Sequence, residues 1–202
     1  MRTSRSTKTI SGVLHGIWTW LREERGSQIV EFAVTLPFLA VMVVGIFDFS
    51  QAFGLKQKLS NAAREGARVG SNQPTNDLSQ GTPATVQAIA QAVGQYMKTV
   101  NLNDCGLANG TATAAAAGNL AWTFTANGCA LNPVVTIKRG FVTTATMSSP
   151  YPSGTLTIDN TQVTVQYPYQ WKFGNVITLL VPSANYAGTT TIQATATMQN
   201  LN

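Results

Sequence analysis

The sequence predicts an α+β fold: a long N-terminal transmembrane helix that continues into a domain where a second helix packs on a small antiparallel sheet. Three patterns predict it. An apolar run from Ile29 to Phe47 holds one charge, Glu31, and an apolar stripe continues beyond it at helical spacing. A second helical stripe follows Pro83. After residue 120 the pattern changes to alternation, the signature of strands. The expected organisation is a basic leader at 1–26, the helix at 27–70, a linker at 71–82 and the α+β domain at 83–202.

In the leader, Arg2, Arg5, Lys8, Arg22 and Arg25 stand against Glu23 and Glu24. It therefore carries three of the chain's five net positive charges. The pI near 9.5 reflects this leader. No basic and aromatic stripe elsewhere points to nucleic acid, so no nucleic-acid partner is expected. The patch Ile17–Leu21 is too short to span a bilayer. A secretory signal places its apolar stretch before the cut. Here the apolar stretch follows the expected cut at Gly26.

As a helix, Ile29–Phe47 extends about 28 Å, close to the thickness of a bilayer core. Pro37 has no N–H to give to the Ala33 carbonyl, so a kink is expected there. Gly45 permits close contact between helices. Asp48 and Ser50 mark the far interface. Leu55, Leu59, Ala62, Gly66 and Val69 then recur at steps of four and three, with Lys56, Lys58, Arg64, Glu65 and Arg68 on other faces. One helix is expected from about Ser27 to Val69, ended by Gly70 as C-cap and by Pro74. Within Asn61–Arg68, the small residues Ala62, Ala63, Gly66 and Ala67 suit close packing, and Glu65 and Arg68 form a local pair. Arg64 and Arg68 facing lipid phosphate or an acidic partner is the other reading.

Thr82 is expected to cap the second helix, with Pro83 at its first position. Val86, Ile89, Ala90, Val93, Met97 and Val100 form its buried face. The Ala/Thr/Gly/Asn-rich stretch 109–119 reads as a loop. Strands are expected at Trp122–Phe124, Val135–Ile137 and Ile192–Met198. Leu156 and Ile158 lead through Asp159-Asn160 into Val163, Val165 and Tyr167 as a hairpin. Val176–Val181 is strand or helix. The aromatics of Tyr167–Trp171 either pack or are exposed for adhesion.

Cys105 and Cys129 both follow the apolar helix. An even pair in a domain of low charge reads as one disulfide in an oxidising compartment, contributing about 3 kcal/mol. Two buried thiols is the alternative. The only histidine, His15, lies in the leader, which excludes a Cys/His metal site or a Ser/His/Asp set in the domain. No phosphate-binding loop appears. The expectation is no enzyme, with no catalytic, cofactor-binding or metal site.

The segment Gly26-Ser27-Gln28-Ile29-Val30-Glu31-Phe32 resembles the prepilin-peptidase motif. The resemblance implies a cut at Gly26–Ser27 on the cytoplasmic side. Glu31, followed by Phe32, becomes the fifth residue of the mature helix. Each part has a physical reason. Glycine lets a peptidase approach the backbone closely. Cleavage frees a positive amine at Ser27, and Glu31 can neutralise that amine on a neighbouring subunit, fixing the axial register of assembly.

A longer run, Arg25 to Pro37, is similar to the opening of TadE-like pseudopilins, minor pilins of the tight adherence (Tad/Flp) pilus. So is the helix motif Asn61-Ala62-Ala63-Arg64-Glu65-Gly66-Ala67-Arg68. Val163–Pro168 and Thr195–Met198 look more loosely like the family's last strands. The resemblance implies a pilin-like globular domain and a role in pilus assembly for adhesion or secretion. The implied partners are the membrane, a prepilin-type peptidase, other pilin or pseudopilin subunits and inner-membrane pilus assembly proteins. The implied location is the bacterial inner (cytoplasmic) membrane, single-pass. Basic residues flank the helix almost equally and do not orient it. The cysteines and the processing motif place the leader inside and the domain outside. A reading from another class is a membrane-anchored binding or adhesion module outside any pilus, with the helix as a mere anchor.

Overall fold

The computed structural model describes residues 24–147, 154–173 and 188–201. Most of the leader and the run Val176–Val181 lie outside the described residues. Two helices, α1 (Glu24–Ser71) and α2 (Ala84–Thr99), precede a short 3-10 turn, Leu107–Asn109. Five strands follow: β1 (Thr113–Gly118), β2 (Ala121–Thr125), β3 (Val134–Met147), β4 (Gly154–Gln170) and β5 (Thr189–Gln199). Each pairs antiparallel with the next, in the order β1-β2-β3-β4-β5. The protein is α+β, with one helix long and apolar enough to cross a membrane. The chain divides into two compact units, residues 1–47 and 48–202.

The core of the second unit follows the expected stripes. Leu55, Leu59, Ala62, Ala63 and Ala67 of α1 are buried, as are Val86, Ile89, Ala90, Val93 and Met97 of α2. The sheet supplies Trp122 and Phe124 from β2, Val135 and Ile137 from β3, and Val163 and Val165 from β4. Alternation along β2 and β3 puts these side chains on one face.

Four local features differ from the sequence expectation. Residues 113–118 form an edge strand rather than loop: Ala is a weak strand former, but pairing with β2 overrides propensity. Asp159 and Asn160 lie inside β4 and make no turn. The buried Asn160 amide donates to Thr143 Oγ1 at 2.9 Å and the Ile158 carbonyl at 2.8 Å, so a turn-prone side chain is satisfied within the strand. Pro83, not Thr82, occupies the N-cap of α2 and offers no side-chain bond. The Asp77 carboxylate does that work, accepting from Thr85 N at 3.0 Å and Thr85 Oγ1 at 2.7 Å. Gly70 lies inside α1, and a Cβ there would stand 2.6 Å from Thr161 Cγ2 and 3.0 Å from Ile89 Cδ1. Its glycine serves close packing rather than helix termination.

Candidate functional site

Between Gln28 and Phe47, α1 presents side chains that are largely exposed. The most apolar stretch of the helix is entirely unburied within the chain. Phe38, for example, is 67% exposed. A continuous apolar surface of this length is a membrane or partner surface. Glu31 is exposed on it. One turn on, Thr35 Oγ1 donates to the Glu31 carbonyl at 3.0 Å and the Phe32 carbonyl at 3.2 Å. Pro37 sits inside α1 without ending it.

Gly26 begins this segment, and a Cβ built on it would meet nothing within 4 Å. No contact among the described residues asks for glycine there. Gly66 is the opposite case. A Cβ on it would lie 2.5 Å from Val93 Cγ2 and 3.3 Å from Val163 Cγ1, so its absence lets α1 meet both α2 and the sheet. Around it, Asn61, Arg64 and Arg68 are exposed. Arg68 pairs with Glu65 through Nη2–Oε1 at 2.5 Å and Nε–Oε2 at 2.9 Å. That hydrogen bond from Arg68 holds the Glu65 carboxyl below the usual carboxylate range.

Two charged residues anchor α1 in the domain: Asp48, which the sequence suggested only as a marker of the far interface, and Arg139, which was given no role. Asp48 is 2% exposed. Its carboxylate accepts from the backbone N–H of Lys172 at 3.3 Å and of Phe173 at 3.1 Å. The Tyr169 hydroxyl lies 3.4 Å from its carbonyl. Burial pushes the Tyr169 phenol up, and the Asp48 charge adds to the shift. The aromatic run Tyr167–Trp171 accordingly packs: Tyr169 is buried, and Trp171 meets both Tyr169 and Phe49 edge-on.

Arg139 closes the other end of the helix. It too is 2% exposed. The β3–β4 register shifts between Lys138 and Phe141, and the resulting bulge holds Arg139 through its N–H to the Leu120 carbonyl at 2.9 Å. Its guanidinium donates to the carbonyls of Gly70, of Gln73 at 2.7 Å and of Pro74 at 3.2 Å. These carbonyls lie at and beyond a helix C-terminus, where a cation is also favoured by the helix dipole; that of Gly70 accepts from Gln73 N at 3.1 Å as well. Burial lowers the Arg139 pKa, and Asp77 opposes that shift. Asp77 is pushed up by burial, but the Thr85 bonds outweigh this, so its carboxyl stays below the usual range. A sequence signal for Arg139 exists: it continues the inward parity of Val135 and Ile137, where a charge requires partners.

Cys105 and Cys129 form a disulfide, with Cα atoms 5.3 Å apart. It borders an open groove of about 740 Å³, whose lining includes Leu55, Lys58, Leu102, Leu131 and Tyr167. Among the described residues no cluster of three or more His, Cys, Asp or Glu is arranged to hold a metal ion.

Among known proteins, no curated protein and no solved structure matches the chain. Residues 26–68 match the model of the TadE-like protein family. The match runs from Gly26, through the exposed apolar helix, to Arg68 of the packed motif, so this N-terminal segment is similar to that of TadE-like proteins.

Proposed function

We propose that the protein is a TadE-like minor pilin or pseudopilin that acts in assembly of a Tad/Flp-type pilus. A prepilin-type peptidase cuts it between Gly26 and Ser27, and the helix that follows anchors it in the bacterial inner membrane with the domain outside. The observation that carries this reading is the helix behind Gly26: apolar and exposed along its length, with one acid at Glu31, inside the segment that matches the TadE-like family. Gly26 itself supports a processing role. A helical glycine costs roughly 1 kcal/mol relative to Ala, and nothing among the described residues needs its missing Cβ. The requirement then comes from outside, from an enzyme that must reach the backbone.

Glu31 supplies directionality. A carboxylate among packed membrane helices is costly unless paired. The Ser27 amine of a neighbouring subunit is the partner that cleavage creates. Glu31→Gln tests this. Cleavage should continue at a rate within about twofold of wild type, because the acid is not at the scissile bond. Pilus assembly should fall on the order of tenfold or more, since the charge pair is lost. Unchanged assembly in that variant rejects the register role. Preserved function after replacement of residues 28–47 by an unrelated membrane anchor would favour a tethered binding module instead.

A further inference from the structure

We propose that the end of the domain carrying Asp48 is a lipid-contacting rim, in which Phe49, Phe53 and Trp171 lie at the bilayer surface and Lys172 reaches lipid phosphates. This rests on the reading that residues 29–47 cross a membrane.

The side chains are unusual for a surface facing water. Phe49 is 53% exposed and Phe53 67% exposed. They are one turn apart on α1, so they share a face. Trp171 lies edge-on to Phe49, with ring centroids 5.5 Å apart at 69°. It lies edge-on to Tyr169 as well, at 5.2 Å and 89°. Its indole N–H donates to Thr190 Oγ1 at 2.9 Å. The polar edge of the ring is therefore satisfied by protein while the ring remains half-buried. Exposed apolar area is worth roughly 25 cal/mol per Å² on removal from water. Two exposed phenylalanines beside a partly buried tryptophan form a surface that gains by being covered.

Chain continuity identifies what covers it. Asp48 directly follows the nineteen-residue run Ile29–Phe47. A run that fills the hydrocarbon core leaves the next residues at the headgroups, the depth where aromatic rings concentrate. The domain is fastened at that same residue: Asp48 binds the N–H groups of Lys172 and Phe173, so the segment bearing Trp171 and Lys172 is clamped to the membrane border. Lys172 is exposed, and its flexible stem can lie on apolar surface while the ammonium reaches phosphate. The occupant is therefore the phospholipid surface of the membrane that holds the helix.

The test uses full-length protein carrying Trp18→Phe and Trp20→Phe, reconstituted in phosphatidylcholine vesicles. The acyl chains either carry or lack bromine near the headgroup. Trp122 is buried, and subtracting the same protein with Trp171→Phe removes its signal. The Trp171 component should be quenched about twofold or more by the brominated lipid and little by aqueous acrylamide. Strong acrylamide quenching with none from the lipid overturns the proposal. Phe38→Trp in the Trp171→Phe background reports on the apolar run. If that residue is quenched by brominated lipid and Trp171 is not, the rim fails while the anchor stands. If neither is quenched, the membrane reading fails and the rim falls with it.

Discussion

Arg139, Asp77 and Gly66 show how single residues hold α1 in place. Replacing Arg139 with Met keeps much of the side-chain volume but strips the carbonyls of Gly70, Gln73 and Pro74 of their buried donor. The expected loss is about 3 kcal/mol, read as a lower urea midpoint of the purified protein. Arg139→Lys should recover only part, because an ammonium lacks the planar fork. Asp77 gives the pH dependence. Its folded pKa is depressed, so its contribution is fully present above the ordinary carboxylate pKa of about 3.9 and is lost as pH falls through the lower folded value. Asp77→Asn should therefore flatten the acid limb of the stability profile below about pH 4, measured by thermal melts across pH. Arg139 was missed, although it continues the inward parity of Val135 and Ile137 on β3. Asp48 was not legible as an anchor: an acid after an apolar run looks like a membrane border, and its partners Lys172 and Phe173 are remote in sequence.

At the scale of elements, α1 changes role along its length while remaining one helix. Its apolar half shows every face to the surroundings, and its later half buries a stripe of Leu55, Leu59, Ala62 and Gly66. Periodicity made both halves readable, since it reports which face is apolar. Whether a glycine caps or packs depends on distant neighbours, so Gly70 was misread. Gly66→Ala should lower stability by about 1 kcal/mol or more: overpacking of 1–3 kcal/mol outweighs the better helix propensity. Gly94→Ala should cost more, because its Cβ would fall 2.4 Å from the backbone N of Ala108, which cannot swing away as a side chain can. Differential scanning calorimetry of the two variants orders them. Removing the disulfide by Cys105→Ser with Cys129→Ser should cost about 3 kcal/mol, seen as a matching fall in the denaturation midpoint. Strand β1 escaped the sequence reading because alanine and threonine repeats have no alternation to detect. Its position comes from pairing with β2.

For the whole molecule, a helix that matches the TadE-like family model over residues 26–68 is followed, among the described residues, by a second helix and a five-stranded meander. The segment from Gly26 to Arg68 was legible because its two halves have different patterns: the exposed half is apolar on every face, and the packed half carries small residues along one stripe. The domain was less legible, since its long β3–β4 pairing and the Arg139 bulge depend on contacts between distant residues. The central proposal is that the mature protein begins at Ser27, three residues into α1. N-terminal sequencing of the protein recovered from membranes of its host tests it most directly. Ser27 as the first residue is the expected result; a start at Met1, or at any residue beyond 50, would contradict the proposed processing.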